Sequence, residues 1–198
     1  MKRLLLGLAA LAAGCATTQI LASWKSPSAE QIHFEKVAVF ALAKDPATRR
    51  IAEDEIVRGS PPGRAVASYA FISDADLGDV PAVKQKLRES GFDGAVVVRP
   101  IGTQVRETVV PGAPLPPLTG PYGTLSGYYG YAWPGAYAPG TVVTDRYVTV
   151  EVLVYSVPKD ELLWGARSES ANPASVNALV RDVAKAARED LRSQGLLP

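Results

Sequence analysis

The chain has 198 residues, with 21 basic and 20 acidic side chains and a formal net charge of +1 at neutral pH. A balance this even offers no concentrated basic patch, so the composition excludes nucleic acid as an expected partner. Cys15 is the only cysteine, so apolar burial and hydrogen bonds must hold the core without an internal disulfide.

The first fifteen residues have the layout of a secretory signal. Lys2 and Arg3 precede an apolar run over residues 4–13, and small residues then lead to Cys15. The apolar run is too short to span a bilayer as a stable anchor. Residues 11–15, LAAGC, resemble the lipobox of bacterial lipoproteins, with alanine in place of its usual leucine. The resemblance implies cleavage before Cys15 and covalent lipid on its sulfur.

A lipidated Cys15 predicts where the protein works. Removal of the signal peptide, residues 1–14, leaves a mature chain with a net charge of about −1. By the same resemblance, Ala16 stands where an aspartate would imply retention at the inner membrane, so the outer membrane's periplasmic face is the expected location. The alternative is a plain secretory signal with an incidental cysteine. Each buried methylene of a lipid chain contributes about 0.8 kcal/mol, so the anchor would be firm, and no other cofactor is expected.

The mature chain is expected to consist of a short tether and one domain. Residues 15–35 form the lipidated tether that leads into the domain, and residues 17–24 within it favour an edge strand. Residues 36–198 suit a single α/β domain, interrupted by a loop at residues 111–142.

The first half of the domain alternates strands and helices. The continuous apolar run at residues 37–43 predicts a strand buried on both faces. Asp45 followed by Pro46 predicts a helix that ends near Arg58. Its buried contacts are predicted to be Ala47, Ile51, Ala52 and Ile56, and the acidic run at residues 53–55 is predicted to face water. A strand at residues 65–72 and a helix at 81–90 follow. The next predicted strand covers residues 94–98, and its continuation past Pro100 as far as Val110 stays open, since the proline favours a bulge or an edge position there.

The second half predicts a hairpin and a long helix. Valines alternate strictly along residues 147–157, a tight turn follows at 158–160, and residues 161–170 return as a second strand. Apolar residues at helical spacing predict a final helix that ends at Ser193. The element order predicts an α/β fold with a mixed sheet in two or three layers, in which a βαβαβ unit precedes a ββα unit.

The loop at residues 111–142 breaks the pattern, because its first thirty residues contain seven prolines and seven glycines. Such density argues against a regular helix or a central strand. No charged residue occurs between Glu107 and Asp145. Six aromatic residues in this stretch are the predicted partner-binding residues: Tyr122, Tyr128, Tyr129, Tyr131, Trp133 and Tyr137.

Three interpretations of this aromatic loop stay open. It is a flexible linker, a contact surface for an envelope protein or cell-wall glycan, or a site of membrane contact or self-association. Tyrosine and tryptophan supply large contact areas at low entropic cost, which is the argument for the contact surface.

Catalytic signatures are weak in this sequence. His33 is the only histidine, and a single histidine cannot build a zinc site without cysteine beside it. Ser156 and Lys159 have the S-x-x-K spacing of serine acyltransferases, but the pair falls on the predicted hairpin turn. The acidic residues at 74, 76 and 79 lack the spacing of a calcium loop. We therefore predict a protein that is not an enzyme.

Three segments resemble bacterial envelope lipoproteins of a small α/β type. They are KVAVFALAKDPATRRIAED at residues 36–54, GFDGAVVV at 91–98 and VTVEVLVYSVPKDELLWGARSES at 148–170. More distantly, the chain is similar to the amino-terminal domain of the Tol-system propeller protein, the curli-secretion lipoprotein and the lipoprotein activator of penicillin-binding proteins. The resemblance implies a partner-binding or envelope-assembly protein, or alternatively an oligomeric secretion or pore component. Cellular location and the Ser156–Lys159 pair leave a cell-wall hydrolase as a third alternative.

Overall fold

The computed structural model describes residues 18–110, 112, 123–137 and 139–198. These residues form one six-stranded mixed sheet in the order β1-β6-β5-β4-β2-β3, with four α-helices. The strands are β1 Thr18–Lys25, β2 Val37–Ala41, β3 Ala65–Ala67, β4 Gly94–Val110, β5 Thr141–Ser156 and β6 Glu161–Ala171. The helices are α1 Pro46–Arg58, α2 Val80–Glu89, α3 Leu125–Ala136 and α4 Val176–Ser193. The predicted α/β class with a mixed sheet is confirmed.

The sheet joins a parallel half to an antiparallel half. β2 pairs in parallel with β3 and with β4, because α1 and α2 carry the chain back across the sheet. β4, β5, β6 and β1 pair antiparallel in that order, and β5 and β6 form the predicted hairpin. The chain turns between them at Asp160, whose φ of 53° lies in the left-handed region.

Capping side chains set where three of the helices begin. The Asp45 carboxylate accepts the Thr48 amide at 2.7 Å and caps α1, with Pro46 at the first helical position as predicted. Hydrogen bonds from the Thr48 hydroxyl and amide hold the pKa of Asp45 below its usual value. Asp79 caps α2 and Ser175 caps α4 in the same way.

Apolar layers form on both faces of the sheet. One face packs against α1 and α4, and its core includes the alternating valines of β5 and the fully buried Trp164 of β6. The opposite face packs against α2 through Phe40, Leu87 and Phe92. A shift of register beside Tyr155 leaves Leu163 without a pairing partner on β5, and Leu163 is buried in the core.

The predicted buried face of α1 is partly wrong. Ala52 is buried, but Ile51 is 40% exposed and Ala47 faces solvent. The acidic run at residues 53–55 does not all face water, since Glu53 is fully buried and Glu55 nearly so. The sequence pattern failed here because the helix buries a charged network beside its apolar contacts.

The strand predicted at residues 65–72 is also shorter than expected. β3 covers Ala65–Ala67, and a 3₁₀ turn at Ser68–Ala70 replaces the rest of the predicted strand. The physical reason is the buried carboxylate of Glu53. It accepts the Ser68 hydroxyl at 2.7 Å and the Tyr69 amide at 3.2 Å, which turns the backbone away from the sheet.

Candidate interaction surface

β4 and β5 extend beyond the rest of the sheet as a two-stranded arm. β2 ends its pairing with β4 at Val98, and β6 ends its pairing with β5 at Tyr147. Past these points residues 105–110 pair only with residues 141–146, in six successive pairs. At about 3.4 Å per residue, this arm projects roughly 20 Å from the sheet.

Polar contacts brace the base of the arm. The Arg106 guanidinium lies 4.1 Å from the centre of the Tyr147 ring and 3.6 Å from a Glu169 carboxylate oxygen. Asn172 holds the other strand, since its side-chain oxygen accepts the Arg146 amide at 2.8 Å and its amide group donates to Asp145 at 2.6 Å. The arm therefore leaves the sheet in a defined direction.

The outer part of the arm is apolar and exposed. Four valines there are between 41% and 67% exposed: Val109, Val110, Val142 and Val143. Both strand edges are open here, and a free two-stranded ribbon of this kind is only marginally stable in water. Exposed apolar surface on an unpaired strand edge is typical of a contact surface.

α3 lies at the tip of the arm and overturns the expectation that residues 111–142 are irregular. Thr124 caps it, accepting the Gly127 amide through its hydroxyl at 3.1 Å and the Tyr128 amide through its carbonyl at 3.0 Å. Most prolines of the stretch lie before the helix in sequence, and Pro134 falls in its last turn, where it removes few hydrogen bonds. The predicted loop also extended too far, since β5 already begins at Thr141.

Three of the predicted aromatic residues form a ladder along one face of α3 and just past its end. Tyr129 and Trp133 stack with ring centres 5.3 Å apart, and Tyr137 meets Trp133 edge-on at 5.3 Å. They are four residues apart along the sequence, which places them on one helical face. Their side chains are 56%, 52% and 69% exposed, respectively. We name these three residues the aromatic ladder.

The remaining predicted site residues lie in different places. Tyr128 and Tyr131 belong to α3 and are 44% and 36% exposed. Tyr122 and Cys15 lie outside the described residues. The helical arrangement was missed at the sequence level, although the four-residue spacing of the aromatic ladder was the signal that could have indicated it.

The amino-terminal strand begins at the same end of the sheet as the arm. Thr18 pairs with Ser170, Ser170 with Val148, and Val148 with Thr103, which form one row across the sheet at the arm's base. Cys15 precedes Thr18 by three residues, and three residues of chain span at most about 10 Å.

The candidate catalytic residues serve structural roles in the described residues. The Ser156 hydroxyl accepts the Lys159 main-chain amide at 3.4 Å, so this pair caps the hairpin turn. His33 is exposed and contacts Gln31. No cluster of three or more histidine, cysteine or acidic side chains in the described ranges could hold a metal ion.

Acidic groups with perturbed pKa values also have local explanations. Hydrogen bonds from Ser28 and Ser26 lower the pKa of Glu161, and these contacts tie the chain after β1 to the start of β6. Asp76 lies just before α2, and its carboxylate accepts a hydrogen bond from the Lys86 ammonium at 3.0 Å. This contact lowers the pKa of Asp76. Such shifts mark structural contacts here, since neither carboxylate lies in a cleft.

A charged network is buried beneath α1. One Glu53 oxygen accepts hydrogen bonds from the Arg49 guanidinium at 3.1 Å, the Ser68 hydroxyl and the Ala41 amide. Arg49 also bonds Ser68 and the carboxylate of Asp74. Every buried polar side-chain atom in the described residues has a partner, so the network is satisfied and offers no free group for chemistry.

The comparisons with known proteins show no family for this chain. The sequence matches no protein-family model and no curated protein. Among solved structures, the chain is similar to two PelC dodecamers from Paraburkholderia phytofirmans. Each has 12% identity over 86% of this chain and 94% of the other, with TM-scores of 0.45 for a point variant and 0.43 for the second. A likeness this loose carries no information on activity, partner or assembly.

The described helices include none that is both long and apolar enough to cross a bilayer. The class defined by the structure is thus a mixed α/β protein with a projecting, aromatic-tipped arm.

Proposed function

We propose that this protein is a non-enzymatic outer-membrane lipoprotein that binds an envelope partner on the periplasmic face through its arm. The observation that carries the proposal is the aromatic ladder, which stands exposed on a helix at the end of the arm. Exposed aromatic side chains in a stretch without charge match the composition of binding hot spots. Contact of the aromatic ladder with water is unfavourable in the free protein. A partner that covers the ladder would remove this apolar surface from water, and its burial would favour binding.

The lipid on Cys15 complements the arm in this proposal. Anchor and arm lie at the same end of the sheet, so a partner in or near the membrane falls within reach of the aromatic ladder. Tethering also raises the effective concentration of a membrane-bound partner, so a modest contact surface is sufficient for binding. The rigid base at Arg106 and Asn172 limits the orientational freedom that binding must remove.

Replacing the tip of the arm tests the proposal. In this variant the two residues Asn-Gly replace residues 111–140 and connect Val110 to its pairing partner Thr141. Asn-Gly is a preferred two-residue connection between antiparallel strands. We expect an unchanged thermal midpoint, because α3 packs extensively against no other described element. Crosslinked pull-downs from membranes of the native host should then lose the partner protein. An unchanged set of crosslinked partners contradicts the proposal, and binding to isolated cell wall alone redirects it to glycan.

An oligomeric secretion or pore component is the second candidate. The observation that favours it is the pair of open strand edges on the arm, because open edges pair readily with other strands, including those of a second copy. Size analysis of the detergent-extracted lipoprotein distinguishes the two candidates. A monomer rules out this alternative, and a defined oligomer that the shortened arm cannot form supports it.

A further inference from the structure

A large cavity lies between the sheet and the two helices that cover it. Its volume is about 650 Å³, within the range of roughly 300–1,000 Å³ that is typical of small-molecule sites. The floor consists of four alternating valines of β4 and β5: Val96, Val98, Val152 and Val154. α1 and α4 form the roof, where Ala52 packs against Val180 and the Arg188 guanidinium bonds the Gly59 carbonyl at 3.0 Å.

The cavity walls leave apolar surface uncovered inside the fold. Phe34, Ile56, Val96 and Leu197 line the cavity and are only half-buried, although each packs against the main core. The Phe34 ring lies directly over Gly94, where an added Cβ would come within 2.3 Å of it, so the glycine leaves the room that the ring needs. The space is therefore a chamber lined by apolar side chains that the fold leaves partly uncovered.

Positive charge surrounds the mouth of the cavity, and no aspartate or glutamate side chain lines it among the described residues. Arg58 pairs with the Glu55 carboxylate, and the Arg192 guanidinium bonds a main-chain oxygen of Pro198 at 3.1 Å. Arg188 bonds only neutral main-chain carbonyls, and the Arg64 guanidinium has no hydrogen-bond or ion-pair partner in the described parts of the chain. Arg64 and Arg188 are thus the charges left to meet an anion.

We propose that this cavity binds a single-chain lipid with an anionic head group, such as a fatty acid. The apolar chamber would take the acyl chain, and Arg64 with Arg188 would hold the head group by charge-assisted hydrogen bonds. This class of ligand matches both halves of the site, whereas an apolar ligand without charge would leave the arginines unused.

A lipid on Cys15 would be attached far from the mouth of this cavity. The mouth lies beside Phe34 and the start of β4, at the end of the sheet opposite the arm. From Gly94 to Thr103, at the level of Thr18, β4 covers roughly 30 Å. The cavity therefore takes a separate ligand, and its proposed role is independent of the partner contact made by the arm.

Titration with cis-parinaric acid, a fluorescent fatty acid, tests this site on the full-length chain carrying Cys15→Ser, which no acyl group can modify. Ala184→Phe places a ring in the chamber and is expected to weaken binding at least about tenfold. Palmitate and hexadecanol are then tested as competitors that displace the fluorescent probe. Arg64→Gln, at an exposed position, should weaken the binding of palmitate about tenfold. The binding of hexadecanol should not change, because the alcohol lacks the charge. Lys185→Gln, on the exposed face of α4, is the matched control and should bind like the parent chain.

Each outcome of the titration decides the proposal. Weakening by Ala184→Phe together with head-group selectivity at Arg64 supports the site. Equal affinity in all variants assigns binding to the apolar amino-terminal segment that they share, and this result overturns the proposal. No saturable binding by the folded parent chain also overturns it. If Ala184→Phe unfolds, as circular dichroism would show, the Arg64→Gln comparison between palmitate and hexadecanol decides alone.

Discussion

Replacing Glu53 by alanine is expected to lower the free energy of unfolding by about 3–5 kcal/mol, the usual cost of breaking a buried ion pair from one side. The Glu53 side chain is fully buried, and Arg49, its partner in the same helix, is only 5% exposed. Alanine would leave the Arg49 charge without its buried partner. It would also remove the acceptor for the Ser68 hydroxyl proton and for the main-chain amides of Ala41 and Tyr69.

Urea unfolding measures this loss. Glu189→Ala is the matched control, because Glu189 is an exposed acidic residue on α4 and its replacement should change stability by no more than about 0.5 kcal/mol. A loss below about 1 kcal/mol for Glu53→Ala would show that the network does not hold α1 to the sheet.

The Glu53 network also marks the limit of the sequence-based prediction. Caps, turns and alternating valines depend on neighbours along the chain, so α1, α4 and the β5–β6 hairpin were predictable within a few residues. The role of Glu53 depends on Ser68 and Tyr69, which only the fold brings to it. A charged side chain in a helix resembles a solvent-facing one until such partners are known.

The candidate site shows the same division. Composition alone indicated the uncharged aromatic stretch, because it needs no knowledge of neighbours. The arm that carries it was not foreseen, since it follows from how far β4 and β5 extend beyond β2 and β6. The cavity was not foreseen either, because its walls come from five segments that are distant in sequence.

Trp133→Ala is expected to weaken the complex with the envelope partner by about 2 kcal/mol or more, a factor of about 30 in Kd. Trp133 stands in the middle of the aromatic ladder and touches both Tyr129 and Tyr137, so its loss removes the largest ring and the order of the other two. Central aromatic residues surrounded by other rings are typical hot spots.

Trp24→Ala is a closely matched control for this prediction. Trp24 is 51% exposed and Trp133 is 52% exposed, but Trp24 lies on β1, at the edge of the sheet and away from α3. Surface plasmon resonance with the purified partner should show a large effect for Trp133 and a small one for Trp24. Similar affinities for the two variants would exclude the aromatic ladder as the contact, provided both keep the parent thermal midpoint.

Mass spectrometry of the amino terminus, on protein isolated from membranes of its native host, tests most directly whether this is a lipid-anchored protein. The expected result is a chain that begins at Cys15 and carries fatty acyl groups. A chain that begins elsewhere, or a Cys15 with an unmodified sulfur, would contradict the anchor and the reach of the arm that follows from it.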